Sequence, residues 1–468
     1  MKLSSVCLSF LALMPLIYGA PVDEKIGRFI QITDFHMDPH YVAGSTTSGF
    51  CHRKEESGDP VGPFGSLSSE CDTPPALVEA AFDFMKSLPP ADFVLYTGDS
   101  ARHNRDKKEI PRTYEEALDT QATIVKHFTD TFDGSKTKVV PLIGNNDVPK
   151  NNDCSGDDPS YQAIQHVWEP LKLNLGAEFQ KGGYYAQELI PGQLKVLNTN
   201  TMLFSGKNKL VKEDCDESDS PGALHMRWLK DQLADARENH SKVYISAHVP
   251  PNSKRDRVFY KAVCYNQYYG LLGDYADVIL GHFAGHFNND VLTAVVEGPG
   301  LDQFDDVKDP KEEEDSSSTE LQKRGHKKHP SLTTSELNPP FGHIALLGKP
   351  SIDIPSPLPK VLGVLFNAPS IVPLNNPAIR VYEYATTSDS APIGTILNYK
   401  QYYADLQEAN DSGKVEFKLE YDASELYGVE RFDAEGMAHI LETAASKAQQ
   451  FSEYTRVKNP LPPPPEND

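Results

Sequence analysis

The sequence predicts an α/β fold in which a two-sheet β sandwich is flanked by helices. Short apolar runs of the kind that form buried strands alternate with segments of helical spacing through the first half of the chain. Several of these runs end in carboxylate, amide or imidazole side chains. Because ligands bind outside the carboxyl ends of strands in open α/β sheets, we expect a functional site where these runs end.

Five predicted strands lead into side chains that can bind a metal ion. Carboxylate and amide oxygens suit hard cations, and imidazole suits divalent transition metals. One such ending would mean little, whereas the whole series predicts a metal site at one edge of the fold. The runs are Phe29–Thr33 before Asp34 and His36, Asp92–Leu95 before Asp99, Val139–Ile143 before Asn145 and Asn146, Val243–Ala247 before His248, and Val278–Leu280 before His282, His286 and Asn288.

Helices are predicted between these strands, and further strands follow them. Asp72 to Pro75 gives a polar cap and a proline in the first turn of a helix. The other predicted elements are helices from Thr113 to Phe128, after Pro221 and from Asp433 to Gln450, and strands at Val291–Val296, Val361–Phe366 and Ile379–Tyr384. The last two strands are expected to complete the second sheet of the sandwich.

Composition divides the 468 residues into three segments. Residues 1–20 have the layout of a signal peptide or an uncleaved signal anchor. Residues 21–390 form the predicted main domain, with a disordered acidic and basic insertion at about 302–340. The basic half of this insertion is either a tag that docks a polyanion or a solvated loop. Residues 391–468 form an extension with a helix and a proline-rich tail.

The cysteines and sequons fit a protein of the secretory pathway. Removing residues 1–20 takes away Cys7 and leaves an odd set of cysteines, which predicts two bridges and one free thiol. The connectivity cannot be proved from sequence. The expected pairs are Cys51 with Cys71 and Cys215 with Cys264, which leaves Cys154 free, and the expected glycosylation sites are Asn239 and Asn410.

The formal net charge of −22 limits the classes of partner. Such a surface repels polyanions at long range, so nucleic acid is not expected to bind. A phosphate-rich substrate would need metal ions and a local basic patch.

The ordered series of motifs resembles the calcineurin-like metallophosphoesterases, and within them the acid sphingomyelinase-like branch. The series runs from Asp34 and His36 through Gly98-Asp99 and Gly144-Asn145 to His248 and the segment 285–288. Several phrases are similar to those of vacuolar endopolyphosphatases, and the resemblance spans roughly residues 29–385. These phrases cover residues 32–39, 97–103, 144–148 and 375–384.

The resemblance implies two divalent metal ions, and the motifs do not distinguish Zn, Mn, Mg and Co. Asp99 would bridge the metals, which would activate a water for in-line attack on phosphorus. The implied ligands are Asp34, His36 and Asp99 for one metal and Asp99, Asn145, His248 and His286 for the other, with Asn288 as a further donor to one of the two metals.

Asn146 and Asn288 depart from the family pattern, which has histidine at both positions. An asparagine oxygen can still bind a hard cation, so Asn288 is expected to weaken the site without abolishing it. Asn146 cannot deliver a proton, so protonation of the leaving group is assigned to His103 on the Asp99 loop, with Asn146 as a second group that assists departure. His282 is the alternative ligand to His286.

The resemblance further implies hydrolysis of internal phosphoanhydride bonds in inorganic polyphosphate. Each bridging oxygen there joins two phosphates and leaves with little help from an acid. Two alternatives remain open: a sphingomyelinase-like phosphodiesterase and a degenerate metal-binding pseudoenzyme. The residues expected to hold flanking phosphates are Arg102, Arg105, Lys107, Lys108 and Lys150.

The expected location is the secretory pathway. The vacuole is the favoured destination, and the extracellular space is the alternative. If residues 1–20 stay uncleaved, they would tether the chain to the vacuolar membrane with its domain facing the lumen.

Overall fold

The computed structural model of the protein describes residues 26–251, 258–298, 341–346 and 356–444. The predicted signal segment, the predicted insertion at about 302–340 and the proline-rich tail lie outside the described residues. Among the helices of the described ranges, none is both long and apolar enough to cross a bilayer.

The described part of the chain contains thirteen strands and nine α-helices, beside short 3₁₀ turns. The strands are β1 (Ile26–Ile32), β2 (Phe93–Tyr96), β3 (Lys138–Pro141), β4 (Tyr185–Ile190), β5 (Leu194–Asn198), β6 (Lys242–Ser246), β7 (Ile279–Ala284), β8 (Val291–Glu297), β9 (Phe341–Leu346), β10 (Val361–Asn367), β11 (Ala378–Ala385), β12 (Ile396–Ala404) and β13 (Phe417–Asp422). The helices are α1 (Pro75–Ser87), α2 (Tyr114–Thr131), α3 (Pro159–Trp168), α4 (Phe179–Gly182), α5 (Pro221–Glu238), α6 (Ala262–Asp274), α7 (Leu406–Ser412), α8 (Ala423–Tyr427) and α9 (434–444).

The strands form two mixed sheets. The first has the order β13-β12-β11-β1-β2-β3, in which β1, β2 and β3 are parallel. The second has the order β4-β5-β6-β7-β10-β8-β9, in which β5, β6, β7 and β10 are parallel. Since parallel strands end at the same edge, the segments after β1, β2 and β3 lie together, as do those after β6 and β7.

Aromatic side chains from the facing surfaces of the two sheets pack together in the core. Phe29 of β1 stacks on Phe93 and on Tyr382 of the first sheet, with ring centroids 4.7 Å apart in each pair. The same ring meets Phe283 of β7 edge-on at 5.4 Å and Tyr244 of β6 at 5.7 Å. These contacts fix the separation of the two sheets, and with it the distance between the two sets of strand ends.

Helices cover the outer faces of the sandwich. The apolar positions of α1 and α2 pack on the first sheet, and those of α5 and α6 pack on the second. This arrangement confirms the α/β fold class that the alternation of strands and helices predicts.

Three details differ from the sequence predictions. The strand at Ile379–Tyr384 lies in the first sheet beside β1, not in the second. Strands β12 and β13 extend the same sheet, so the described part of the predicted C-terminal extension packs as part of the sandwich. Helix α1 begins at Pro75 with Pro74 as its N-cap, and Asp72 caps nothing because its carboxylate is turned towards His103.

Candidate active site

The predicted ligands lie where parallel strands of the two sheets end. Non-glycine residues rarely adopt positive φ, and such strain often marks functional sites. Five of these residues nevertheless do so, so the chain turns sharply where they follow their strands. They are Asp34, His36, Asp99, His286 and Asn288, with φ of 52, 40, 62, 69 and 56°.

Asp34, His36 and Asp99 form a first cluster from the first sheet. The Nε2 atom of His36 lies 3.5 Å from Asp34 Oδ1 and 3.3 Å from Asp99 Oδ2. Its Nδ1–H donates to the carbonyl of Ala101 at 2.9 Å, which leaves Nε2 as the ring atom that can bind a metal.

Asp99, His248 and His286 form a second cluster that joins the two sheets. His248 donates from Nδ1 to the carbonyl of Thr97 at 2.8 Å. Its Nε2 lies 3.2 Å from Asp99 Oδ2 and 2.8 Å from Asn145 Oδ1. Within each cluster one ligand atom per residue lies within 4.8 Å of the others, so Asp99 is common to two groups that could hold an ion.

Asn288 supplies an independent test of whether these residues suit metal ions. Its Oδ1 atom is buried and accepts no hydrogen bond from any described residue. A buried polar oxygen without a partner is costly, so this atom is suited to a cation bound in the cavity. Carboxylate, imidazole and amide donors together fit divalent metals of the first transition row as well as Mg²⁺.

The charges of the site are arranged around Asp99. Burial would raise the pKa of Asp99, but His248 and His36 outweigh burial and hold it well below its usual range. Burial would lower the pKa of His248, but Asp99 and Asp34 outweigh burial and raise it to about 9. Burial and the charge of His248 lower the pKa of His286 to about 3. In the absence of metal, a proton on His248 therefore offsets part of the carboxylate charge, and metal binding would displace it.

Asp147 holds the loops after β2 and β3 together. Its carboxylate accepts from the backbone N–H groups of Gly144 and Asp99 at 2.9 Å each and of Ser100 at 2.8 Å. A Cβ at Gly144 would lie 2.1 Å from Asp99 Oδ1, so only glycine fits where the two loops touch.

Asn146 acts on Asp99 directly. Its backbone N–H donates to Asp99 Oδ1 at 2.7 Å, and its Nδ2 donates to Asp99 Oδ2 at 3.0 Å. The Arg112 guanidinium donates to the carbonyls of Asn146 and Arg102 at 2.9 and 2.8 Å. Asn146 therefore orients the shared carboxylate, and Arg112 braces that arrangement. Sequence reasoning missed Arg112, which precedes α2 with nothing in the local pattern to mark it.

His103 lies beside the first cluster and is paired with Asp72. Its ring stacks on His36 with centroids 4.0 Å apart, and its Nδ1 lies 2.7 Å from Asp72 Oδ1. Asp72 also accepts from the backbone N–H of His103 at 2.6 Å and from Arg105 at 3.0 Å. Burial and the charge of Arg105 lower the pKa of His103 to about 4 despite the Asp72 partner. The role of Asp72 was missed because an acid before two prolines is typical of a helix cap.

Arg102 is not available to substrate, which corrects the sequence prediction. Its side chain is only 1% exposed and is held by Glu116 at 2.6 Å through Nε and at 3.1 Å through Nη2. Its Nη2 also donates to the carbonyl of Ile110 at 3.0 Å. Arg102 therefore ties the Asp99 loop to α2.

The other predicted phosphate-binding cations are more accessible. Arg105 is held by Asp72, next to His103. Lys107 and Lys108 are exposed on the loop that follows, and Lys108 lies 3.5 Å from Glu109. Lys150 is exposed and lies 3.0 Å from Asp153, on the loop after Asn145.

His282 does not join the ligands. Its Nε2 lies 2.6 Å from the hydroxyl of Tyr268, inside the second sheet's outer layer. Burial lowers its pKa to about 3, as expected for a neutral core histidine. This geometry favours His286 as the ligand from β7.

The cysteines pair as Cys51 with Cys71 and Cys215 with Cys264, and Cys154 is a buried free thiol. The two predicted sequons differ. Asn239 is exposed at the end of α5. Asn410 is half-buried, and its Nδ2 donates to the carbonyl of Gly65 while its Oδ1 accepts from Phe64 N–H, each at 3.0 Å.

Comparison with known proteins adds to this geometry. A family model described as calcineurin-like phosphoesterase matches residues 27–288, more than half of the chain. A second, described as the acid sphingomyelin phosphodiesterase C-terminal region, matches residues 365–457.

Curated relatives named endopolyphosphatase are similar over more than half of the chain. The one from Cryptococcus neoformans var. neoformans serotype D is 37% identical over 298 residues, covering 56% of this chain and 43% of that protein. The one from Neurospora crassa is 31% identical over 387 residues, covering 76% of this chain and 52% of that protein. The chain thus spans about half the length of the curated relatives it matches. Among solved structures, a dimetal phosphatase from Danio rerio is similar at a TM-score of 0.32 and 11% identity, covering 56% of this chain and 82% of that one.

Proposed function

Because the chain belongs to the calcineurin-like phosphoesterase family, we propose that it is a metal-dependent endopolyphosphatase, which hydrolyses internal phosphoanhydride bonds of inorganic polyphosphate to shorter chains. The observation that carries this proposal is the pair of ligand clusters that share Asp99 where the two sheets meet. The names of the fungal relatives supply the substrate.

The metal-binding part of the proposal concerns seven residues. Two divalent cations would supply electrophilic stabilisation of the phosphoryl oxygens and would activate water. Asn146 and Asp147 would keep Asp99 and its loop in the orientation that both ions need. The proposed ligands are Asp34, His36 and Asp99 for one ion and Asp99, Asn145, His248 and His286 for the other, with Asn288 as a donor to one of them.

His103 is the proposed proton donor to the leaving oxygen. The contact with Asp72 fixes the ring beside His36, next to the proposed metals. The negative charge of a bound polyphosphate would raise the pKa of His103 and so favour the protonated form. The phosphate chain released from a phosphoanhydride is also a good leaving group. This substrate therefore tolerates the absence of a histidine at position 146.

The compartment is part of the same proposal. Two disulfides suit an oxidising environment, and an exposed Asn239 suits glycosylation there. We place the enzyme in the secretory pathway, with residues 1–20 as its signal and the vacuole as its destination.

A sphingomyelinase-like phosphodiesterase is the second candidate. The match of residues 365–457 to the acid sphingomyelin phosphodiesterase C-terminal region favours it. The same metals would serve a lipid phosphodiester, so substrate alone separates the two candidates.

The test is a comparison of substrates with sized products. Purified protein is incubated with long-chain polyphosphate, sphingomyelin or nucleotides, each with Zn, Mn, Mg or Co, and an Asp99→Ala preparation serves as the control for contaminating phosphatases. Early chains of intermediate length from polyphosphate support the proposal. Single phosphates alone would indicate exo-cleavage, hydrolysis of sphingomyelin alone would support the second candidate, and no product from any substrate would indicate a pseudoenzyme.

A further inference from the structure

A cluster of three exposed lysines lies beside the second ligand cluster, and we call it the lysine ridge: Lys150, Lys207 and Lys209. Of these three, the sequence alone predicts only Lys150 as a phosphate-binding residue. The chain as a whole carries a net charge of −22, so a polyanionic substrate needs local positive charge near the site.

Backbone contacts fix Lys207 next to His286. The N–H of Gly206 donates to the carbonyl of Phe259 at 2.9 Å, which places the following residue against the Phe259 ring. The Nζ atom of Lys207 lies 5.6 Å from the centroid of that ring. Phe259 in turn meets the His286 ring edge-on at 5.5 Å. One aromatic ring therefore separates Lys207 from a proposed metal ligand.

The other side of the ridge is attached to Asn145. The Asn145 side chain donates to Asn151 Oδ1 at 2.6 Å, and its carbonyl accepts from Asn152 N–H at 3.0 Å. The adjoining residue Asp153 accepts from the backbone N–H of Lys209 at 2.7 Å and pairs with Lys150 at 3.0 Å.

The loop that carries Lys207 and Lys209 is anchored between them. Asn208 is 4% exposed, and its Nδ2 donates to the carbonyls of Cys154 and Met202 at 2.7 and 3.1 Å. Its Oδ1 accepts from Leu210 N–H at 3.0 Å. The buried amide holds the loop in place while both flanking lysines face solvent. Among the described residues, Lys207 has no ion-pair partner, so its charge is available to a ligand.

We propose that the lysine ridge binds phosphate groups of the substrate chain on the His286 side of the bond that is cleaved. Arg105 lies on the other side, next to His103 and the first cluster. Positive charge on both sides suits a chain that runs through the site and is cut internally, whereas an enzyme that removes terminal phosphates needs it on one side only. This inference rests on the proposed function and adds to it the residues that favour long chains over small esters.

The test separates binding of a long chain from chemistry at the metal site. Lys207→Ala should raise the KM for long-chain polyphosphate about threefold, and the double variant Lys207→Ala with Lys209→Ala should raise it about tenfold. The reason is that each substitution removes one partly screened contact between a lysine and a phosphate. The kcat on polyphosphate and the kcat/KM for bis(p-nitrophenyl) phosphate, which is too small to reach the ridge, should not change. Lys207→Arg should retain the wild-type KM.

Lys136→Ala is the matched control, because this lysine is exposed and precedes β3 at the end of the strand remote from the site. It should leave both substrates unaffected. The double variant should also show a shallower rise of KM with salt, since fewer phosphate contacts are screened. An unchanged KM in the double variant, or an equal loss on both substrates, would overturn the lysine ridge while leaving the endopolyphosphatase proposal standing. A wild-type protein that does not cleave polyphosphate at all would overturn both.

Discussion

Asp99 is the residue on which the candidate site depends. One of its oxygens faces the ring nitrogens of both His36 and His248, and the other accepts from the backbone of Asn146. Its backbone is held at a φ of 62°, which a non-glycine residue adopts only where surrounding contacts impose it. The contacts of Asp147 supply that constraint.

We expect Asp99→Ala to abolish phosphohydrolase activity, because both proposed ions lose their shared ligand. Asn288→Ala should weaken activity and metal affinity, since one of the proposed ions loses a donor, and Asn288→His should preserve them. Metal content by elemental analysis and kcat on polyphosphate are the measurements. Full activity in Asp99→Ala would contradict the dinuclear site, and Asn288→Ala with unchanged metal affinity would remove Asn288 from the ligands.

His103→Ala should lower kcat by roughly 10²- to 10⁴-fold, the usual contribution of a general acid, without loss of metal. The loss should be smaller for an ester whose leaving group has a low pKa, because such a group departs unprotonated. Kinetics on two aryl esters of different leaving-group pKa, with metal analysis of the same preparations, provide the measurement. A raised KM alone would make His103 a phosphate-binding group, and a loss of metal would make it a ligand with Asp72 and His36.

The sequence predicts the functional side chains that directly follow strands. It does not predict those whose hydrogen-bond partners are distant in the chain or belong to the backbone. Asp34, Asp99 and His248 were predictable because a buried apolar run precedes each of them. Asp72 and Arg112 lie in loops before helices, and their partners are distant in the chain or belong to the backbone. No local pattern encodes such contacts.

At the level of elements, the same distinction holds. Strands β1, β2 and β6 are mostly buried and contain short apolar runs. Strands β12 and β13 were not predicted, because they lie towards the edge of the first sheet and mix polar with aromatic residues. Strand β12 pairs with β11 and β13 pairs with β12, and this pairing supplies the hydrogen bonds that their own sequences do not predict.

Arg380 of β11 connects the C-terminal strands to the loop after β7, which carries the last proposed ligands. It is fully buried, pairs with Asp290, donates to Gln401 of β12 at 2.8 Å and packs over the ring of Tyr399 at 4.8 Å. Asp290 follows Asn288 by two residues, so this pair fixes the end of the loop that carries the last proposed ligand.

Arg380→Met should lower the free energy of unfolding by about 3 to 5 kcal/mol, because it leaves Asp290 inside the protein without its counter-charge. Urea unfolding followed by tryptophan fluorescence is the measurement. Arg431→Met is the matched control, since that arginine is 38% exposed and pairs with surface acids. It should cost at most about 1 kcal/mol. Equal effects of the two substitutions would contradict a structural role for the buried pair.

At the scale of the whole molecule, the candidate metal site and the aromatic core both join the two sheets. Asp34, Asp99 and Asn145 come from the first sheet, whereas His248 and His286 come from the second. Phe29 makes the corresponding contact in the core, with Phe283 and Tyr244 of the second sheet. Ions bound between the sheets would therefore add to the free energy that holds the sandwich together.

Removal of metal should for this reason destabilise the whole domain and not only stop catalysis. A ligand that binds only the folded state stabilises it by about 2.7 kcal/mol at one hundred times its Kd. Dialysis against a chelator should lower the midpoint of thermal unfolding, and addition of Zn, Mn, Mg or Co should restore it in order of affinity. In Asp99→Ala, which lacks the shared ligand, chelator and metal should have little effect on that midpoint. An unchanged midpoint after proven removal of metal from the wild type would mean that the aromatic core alone holds the two sheets in register, and that the ligands are preformed before any ion binds.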